Sequence, residues 1–303
     1  MRLDDEQESS NFEIQRGGGM GRGFGGGGGG GNLLGLLLPL IGSKFGCWGI
    51  AIVVVLMLVM GGGGGLGSLL GGLTGGGTSM SPQQQTQQAD PGELTDIQRI
   101  SLKVLGSTER RWEDIFAANG SQYPAPTLVF YDRNGMSGCG AAQSAMGPFY
   151  CPADQKIYID TTFFNDMKNK MGIPGDFPIG YVIAHEVGHH IQTITGTANK
   201  VRQAQQRASQ EEGNALQVRM ELQADCYAGV WAARDTNLME PGDMEEGLRA
   251  AHQIGDDTLM KAAGRRPVES MFTHGSAEQR MAWLKRGLQT GNPASCDTFS
   301  QDL

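Results

Sequence analysis

The sequence predicts an α+β protein, namely a mostly helical domain with a small β-sheet, preceded by a disordered N-terminus and one transmembrane helix. Three observations predict this arrangement. From Glu93 onward, apolar residues recur mainly at helical spacing, and only short runs such as Thr127–Asp132 and Lys156–Asp160 are rich in β-branched and aromatic residues. Most of the 48 glycines lie in the first 80 residues. The stretch Phe45–Met60 carries no charge.

Composition divides the chain into four parts. Residues 1–32 mix charges with a glycine run and cannot bury enough apolar surface to offset their ordering entropy, which predicts a disordered cytoplasmic tail. Residues 33–70 are apolar and contain a predicted membrane anchor with its core at residues 45–66. Residues 71–92, rich in Gly, Ser, Thr and Gln, predict a flexible linker. Residues 93–303 form the predicted folded domain.

The uncharged stretch has two other interpretations, a buried core helix and the apolar region of a signal peptide. No short basic region precedes it and no Ala-x-Ala pattern follows it, so we expect an anchor. Lys44 precedes the stretch and no charge follows until Asp90. The positive-inside rule then predicts a single-pass protein of the cytoplasmic (inner) membrane, with a cytoplasmic N-terminus and an extracytoplasmic, periplasmic domain. The net charge of −8, without a basic stripe, argues against a nucleic-acid partner.

The cysteines agree with this topology. Cys47 lies in the predicted span, and the other four lie in the predicted extracytoplasmic part. An even number in an oxidising compartment predicts two disulfides among three possible connectivities. We favour Cys139 with Cys151, which flank a short loop between strand candidates, and Cys226 with Cys296. Free buried thiols are the alternative.

The most informative motif is the pentad His185-Glu186-Val-Gly-His189, which lies in an apolar run. Residues four apart share a face of a helix, so the two histidines can hold one Zn²⁺. Glu186, next to the first histidine, can activate a water molecule at the metal. The alternative is a chance match of three letters at fixed spacing, so the surroundings must decide.

A third metal ligand is predicted downstream. A metzincin would need Gly and His where this chain has Gln192 and Thr195, so that class is excluded. Glu221 and Asp225 are four apart among apolar residues, and two buried carboxylates are costly unless a cation or donors receive them. Glu221 is the predicted third ligand, and Asp225 the acceptor for the ring N–H of a ligand histidine. The alternative is a solvated helix face near Arg219.

Several segments of this chain resemble the bacterial neutral zinc metallopeptidases. The resemblance implies a zincin-like fold whose third zinc ligand is Glu, and peptidase activity. A glycine-rich N-terminus followed by a single anchor is also similar. The segments that carry the resemblance are Cys139-Gly, Gly147-Pro-Phe-Tyr-Cys-Pro, Ile157-Tyr-Ile-Asp160, Ala184-His-Glu-Val-Gly-His-His190, Glu221-Leu-Gln-Ala-Asp-Cys-Tyr-Ala-Gly229, Phe272-Thr-His-Gly275 and Cys296-Asp-Thr-Phe299.

The remaining histidines have different predicted roles. His274 and Arg280 open a helical segment that is similar to a His-to-Arg segment of related membrane metallopeptidases. We therefore predict that His274 stabilises an oxyanion, the alternative being a structural role at the start of the helix. His190 is expected to pack or hydrogen-bond rather than bind metal, and His252 to lie on the surface. Tyr227 is a weaker catalytic candidate.

Together these residues predict a zinc endopeptidase, with one Zn²⁺ per chain, that hydrolyses peptide bonds of proteins outside the cytoplasmic membrane. Glu186 would act as general base, and an extended peptide substrate would pair with a sheet edge, for which the strand Ile157–Asp160 is the candidate. Two alternatives remain. One is a non-catalytic, zinc-stabilised adaptor, anchored in the membrane, that binds envelope proteins. The other is a structural anchored domain in which the pentad is coincidental.

Overall fold

The computed structural model describes residues 1–15, 86–87, 94–235 and 237–300. The predicted anchor at residues 45–66, and almost all of the predicted linker, lie outside the described residues. Among the residues that are described, no helix is both long and apolar enough to cross a bilayer.

The described residues form an α+β fold in which helices predominate, as predicted. The strands are β1 (Phe12–Gln15), β2 (Thr86–Gln87), β3 (Thr127–Tyr131), β4 (Asn134–Ser137), β5 (Gly140–Gln143), β6 (Phe149–Cys151) and β7 (Lys156–Ile159). The α-helices are α1 (Asp96–Ala118), α2 (Thr162–Lys170), α3 (Phe177–Ile194), α4 (Thr197–Gln205), α5 (Gln210–Arg234), α6 (Asp243–Gln253), α7 (Asp256–Ala262) and α8 (Ala277–Thr290).

The main sheet has the order β2-β1-β3-β7-β6. The strands β1, β3 and β7 are parallel to one another, and β6 is antiparallel to β7. The expectation that Ile157–Asp160 forms the sheet edge is therefore wrong, because β7 lies between β3 and β6. The apolar pattern of β7 shows that it is buried but does not show which strands flank it. The last described strand on that side is β6.

The small-residue segment that begins at Ser137 was expected to be a loop, but most of it forms a β-hairpin. Residues Asn134 to Ser137 pair with Gly140 to Gln143. Cys139 lies at the hairpin tip and is joined to Cys151 of β6. The second disulfide joins Cys226 of α5 to Cys296 near the C-terminus. Both favoured disulfide pairings are therefore present.

The first 15 residues correct the prediction of a disordered tail over residues 1–32. Strand β1 pairs in parallel with β3, with Phe12 opposite Leu128. The backbone N–H of Ser9 donates to the carbonyl of Leu102 in α1 at 2.9 Å. Five acidic residues and few apolar ones made the segment look unable to fold by itself. It is ordered because it adds backbone hydrogen bonds to a sheet formed by later parts of the chain.

The α-ammonium of Met1 is buried among three carboxylates. It lies 2.9 Å from Asp176 and Glu240 and 3.1 Å from Asp243. Burial lowers the pKa of this ammonium, but its hydrogen bonds to the carboxylates outweigh burial and raise the pKa to about 10. The Met1 side chain packs beside Gly180, so the start of the chain contacts the first turns of α3.

Two segments whose sequence pattern predicts one helix each are divided in two. The pattern from Val201 to Arg234 predicts a single helix, but the structure breaks it before Ser209, which caps α5 with its side chain. The pattern from Met244 to Ala263 also predicts one helix, which is broken at Gly255, where an added Cβ would lie 2.4 Å from the backbone nitrogen of Ala277. By contrast, α1 is continuous. Thr95 followed three residues later by Gln98 predicts a capping box, and α1 begins at it.

Close helix packing positions the candidate site. Helix α3 crosses α5 at Gly188, where an added Cβ would lie 2.9 Å from the Cα of Ala224. Helix α5 in turn crosses α8 at Gly287, where an added Cβ would lie 2.0 Å from the carbonyl oxygen of Cys226. Glycine is needed at both crossings because the neighbouring atoms belong to backbone. The first crossing brings the pentad helix against the helix that carries Glu221.

We predict that Gly188→Ala destabilises the protein by about 1–3 kcal/mol, the usual cost of overpacking a core, and weakens zinc binding because α3 and α5 must separate. Denaturant unfolding and zinc titration measure the two effects. The matched control is Gly213→Ala in α5, where an added Cβ meets nothing within 4 Å, and which should stabilise by about 0.5–1 kcal/mol. Equal stability of the Gly188→Ala variant and the wild type would contradict the packing account.

Candidate metal centre

Helix α3 is buried along most of its length, and its pentad faces α5. Nε2 of His185 lies 3.2 Å from Oε2 of Glu221, and Nε2 of His189 lies 3.5 Å from the same oxygen. Ligands about 2.0–2.2 Å from a tetrahedral Zn²⁺ stand about 3.3–3.6 Å apart. The three side chains therefore fit a zinc ion in both donor type and spacing.

The charges at this centre are strongly coupled. Burial raises the pKa of Glu221, but the neighbouring His189, His185 and His274 lower it well below its usual range. Burial lowers the pKa of His185, but the carboxylates of Asp225 and Glu221 outweigh burial and raise it to about 9. Burial also lowers the pKa of His189, and Glu221 outweighs it, so that this pKa is raised too. Without a metal, protons on the histidines balance the buried carboxylate.

Asp225 holds the first histidine in place. Its Oδ1 accepts hydrogen bonds from Nδ1 of His185 at 2.8 Å and from the hydroxyl of Tyr181 at 2.6 Å. The guanidinium of Arg280 donates to Oδ2 at 2.8 Å and to Oδ1 at 2.9 Å. Burial raises the pKa of Asp225, but Arg280 and His185 lower it to about 2. With Nδ1 of His185 donating to Asp225, Nε2 is directed at the centre.

Gln192 holds the second histidine, His189, in place. Its Oε1 accepts a hydrogen bond from Nδ1 of His189 at 2.9 Å. Its Nε2 donates to the carbonyl of Met220 at 2.7 Å and to Gln223 at 3.1 Å, so the amide orientation is fixed. Sequence reasoning did not assign Gln192 this role. Its i, i+3 spacing from His189 in the same helix is the only local signal.

Glu186 is 1% exposed and is not part of the cluster of possible metal ligands formed by His185, His189 and Glu221. Burial raises its pKa, and the nearby His189 and His185 only partly offset this. Its Oε2 makes no hydrogen bond with any described residue. The backbone N–H of Tyr150 lowers the pKa of Glu186, which places β6 beside this residue.

His190 forms hydrogen bonds away from the metal cluster, as expected. Its Nε2 donates to the carbonyl of Pro124 at 2.6 Å, and its Nδ1 lies 3.1 Å from the hydroxyl of Tyr150. Burial lowers the pKa of His190, which favours the neutral ring that accepts from Tyr150. His252 is exposed, also as expected. The ring of Tyr227 packs edge-on against Trp112 of α1.

His274 is buried just before α8. Its Nδ1 lies 3.1 Å from Oδ1 of Asp256, and Oδ2 of Asp256 accepts from the backbone N–H groups of Thr273, His274 and Gly275. Asp256 therefore fixes both the ring and the turn that carries it. Sequence reasoning did not identify Asp256, because 18 residues separate it from His274. Although His274 is not among the clustered ligands, its charge acts on Glu221.

We predict that zinc uptake by the metal-free protein at pH 7 releases protons, because the pKa of His185 is about 9 without metal. Zinc affinity should therefore rise between pH 7 and pH 9. Calorimetry in buffers of different ionisation enthalpy measures the released protons. The Asp225→Asn variant lacks the negative charge that raises the pKa of His185, so it should release fewer protons when it binds zinc. Uptake without proton release at pH 7 would contradict the assigned charges.

We further predict that Gln192→Leu weakens zinc binding by about 10–100-fold, because the ring N–H of His189 loses its acceptor. Competition with a chromophoric chelator measures this change. Thr195→Val is the control, because the Thr195 hydroxyl bonds to the backbone of Ile191 and makes no contact with the ring. The prediction fails if the two variants bind zinc equally well.

Comparison with known proteins agrees with this geometry. A family model described as "Putative neutral zinc metallopeptidase" matches residues 1–299. Uncharacterized protein YpfJ of Escherichia coli (strain K12) is 43% identical over 307 aligned positions, which cover 100% of both chains. Uncharacterized protein Rv2575 of Mycobacterium tuberculosis (strain ATCC 25618 / H37Rv) is 41% identical over 191 positions, covering 59% of this chain and 64% of the mycobacterial protein. No solved structure matches significantly. Because the family model covers nearly the whole chain, the protein belongs to the neutral zinc metallopeptidase family.

Proposed function

We propose that this chain is a zinc-dependent endopeptidase that hydrolyses peptide bonds of proteins outside the cytoplasmic membrane. The observation that carries the proposal is the position of Glu186. Its carboxylate is buried beside His185 and His189, and one of its oxygens makes no hydrogen bond with the described residues. A buried carboxylate with an uncommitted oxygen is suited to take a proton.

The chemistry divides between the metal and Glu186. Zn²⁺, when held by His185, His189 and Glu221, supplies Lewis acidity that polarises the scissile carbonyl and makes a water molecule more acidic. Glu186 accepts the proton of the attacking water and then delivers it to the leaving amine. Burial raises the pKa of Glu186, which moves it toward the working pH of a general base. Asp225 and Gln192 keep the two imidazoles oriented during these steps.

The oxyanion that forms during attack needs a donor, and His274 is our candidate. Asp256 holds Nδ1 of His274 and fixes the ring, so donation to an oxyanion would come from Nε2. The rival role of His274 is structural. The same Asp256 contacts order the turn that leads into α8, where Ser276 caps the helix.

An extended substrate would pair with β6 in place of the β7 edge expected from the sequence. Strand β6 ends the sheet among the described strands, and the N–H of Tyr150 in β6 lies near enough to Glu186 to lower its pKa. A peptide added along this edge would pass the general base. The disulfide between Cys139 and Cys151 fastens the β4–β5 hairpin to the same strand.

Two disulfides support an extracytoplasmic location, because disulfides persist in oxidising compartments. The uncharged stretch at residues 45–66 supports attachment to the cytoplasmic membrane. The substrate would then be a protein of the cell envelope.

One observation favours the second candidate, a non-catalytic zinc-stabilised adaptor that binds envelope proteins. The metal ligands are deeply buried, with His189 the most exposed at 9% and Glu221 at 0%. Structural zinc sites are closed, whereas catalytic sites keep an open position. The adaptor would need the metal but would not need Glu186.

The two candidates are separated by Glu186→Gln, which removes the base and preserves side-chain size. We expect zinc content and stability to be retained while cleavage of an unfolded polypeptide falls by at least about 10²–10⁴-fold. The matched control is Glu211→Gln at an exposed position in the first turn of α5, which should cleave like the wild type. Fully metallated wild-type protein that cleaves no faster than Glu186→Gln would support the adaptor.

A further inference from the structure

The first 15 residues form part of the same folded unit as residues 94–300. Strand β1 lies inside the main sheet, between β2 and β3. Four consecutive residues of β1 pair with β3, from Phe12 opposite Leu128 to Gln15 opposite Tyr131. The segment is therefore a structural element of the catalytic domain.

Side chains fasten the same segment along its whole length. Lys103 of α1 donates to the carbonyl of Leu3 at 2.8 Å. Glu109 of α1 accepts from Ser9 at 2.7 Å and from Asn11 at 2.9 Å. At the end of β1, the side chain of Gln15 exchanges two hydrogen bonds of 2.9 Å with the backbone of Met136.

The chain also lies directly on α1. An added Cβ on Gly106 would meet the carbonyl oxygen of Gln7 at 2.4 Å, so the segment and the helix touch at backbone level. Met1 and Leu3 are both buried in the hydrophobic core. A segment packed in this way cannot leave without opening the core and the sheet.

This packing restricts the membrane topology. A single crossing by residues 33–70 would place residue 15 and residue 94 on opposite sides of about 30 Å of hydrocarbon. Strand β1 could then not pair with β3. We propose that residues 1–15 lie on the same side of the membrane as residues 94–300, so the chain between them crosses the bilayer an even number of times or not at all.

The proposal replaces the expected single pass, in which the N-terminus and the folded domain lie on opposite sides of the membrane. It rests on the fold of the domain and does not depend on the peptidase activity or on which side the domain occupies. The positive-inside argument rested on Lys44, with Arg22 further back, and on the absence of charge up to Asp90. The packing of β1 involves the whole of residues 1–15.

The test uses the full-length chain with two protease-cleavable epitopes, one inserted after Gly27 in the glycine run and one after Leu303. Spheroplasts are treated with protease before and after lysis, and an endogenous cytoplasmic protein reports intactness. We expect the two epitopes to behave alike, either both cleaved in intact spheroplasts or both cleaved only after lysis. One epitope cleaved in intact spheroplasts and the other protected until lysis would overturn the proposal.

The same experiment tests the proposed location separately. Cleavage of both epitopes in intact spheroplasts supports a shared, extracytoplasmic side. Protection of both until lysis also supports the shared side, but it rejects the extracytoplasmic location given under the proposed function. Unchanged zinc content and thermal stability, relative to the untagged chain, show that neither insertion has displaced β1.

A cross-link provides a second test. Glu8 lies 3.3 Å from Arg99 of α1, so the double variant Glu8→Cys, Arg99→Cys should be joined by a bifunctional thiol reagent in intact membranes. After cleavage at the site behind Gly27, the two fragments should stay together. Both variants also carry Cys47→Ser, because Cys47 belongs to neither disulfide and could react with the reagent. Glu8→Cys alone should then give separate fragments. Separate fragments from the double variant, at full thiol modification, would overturn the proposal.

Discussion

The buried carboxylate of Glu221 is the group on which the centre of this domain depends. It lies where α3 and α5 cross, with 0% of its surface exposed. An isolated carboxylate at such a position would be very costly, so positive charge must surround it. His185 and His189 supply that charge when protonated, and a zinc ion supplies it when they are neutral. Binding of the metal therefore replaces protons at an anion already present in the fold.

A buried ion pair between Asp225 and Arg280 holds the metal-binding side chains in position. Asp225 lies one turn beyond Glu221 on α5, and Arg280 of α8 neutralises it with two hydrogen bonds. Three helices therefore meet through one ion pair, with Tyr181 closing the network. Breaking such a pair by removing one partner leaves an unpaired buried charge, which is strongly destabilising. The close crossing at Gly287 and the disulfide at Cys226 hold α5 where this network needs it.

The site features that the sequence predicts well are those that depend on the helical spacing of residues close together in the chain. The i, i+4 spacing places His185 with His189 on one helical face, and Glu221 with Asp225 on another. The partners that orient these residues could not be predicted, since Tyr181 and Arg280 are 99 residues apart and meet only through tertiary packing. Two disulfides were predicted because an even number of cysteines, four, lies in the part expected to be outside the cytoplasm.

Strand β1 shows the same limit on a larger scale. Its four residues carry little local signal, and the β3 strand they pair with begins more than one hundred residues later. Composition predicted disorder for a segment that is stabilised almost entirely by contacts with distant residues. Its inclusion in the domain agrees with the family match, which begins at residue 1. The packing of the N-terminal segment is also the basis of the membrane topology proposed above.

The central claim is that His185, His189 and Glu221 form one zinc site. Zinc X-ray absorption spectroscopy on the purified full-length chain, combined with metal analysis, tests it most directly. We expect one Zn²⁺ per chain with two imidazole nitrogens and only oxygen donors besides, at about 2.0–2.2 Å. A sulfur ligand at about 2.3 Å, or coordination by a single imidazole, would contradict the account.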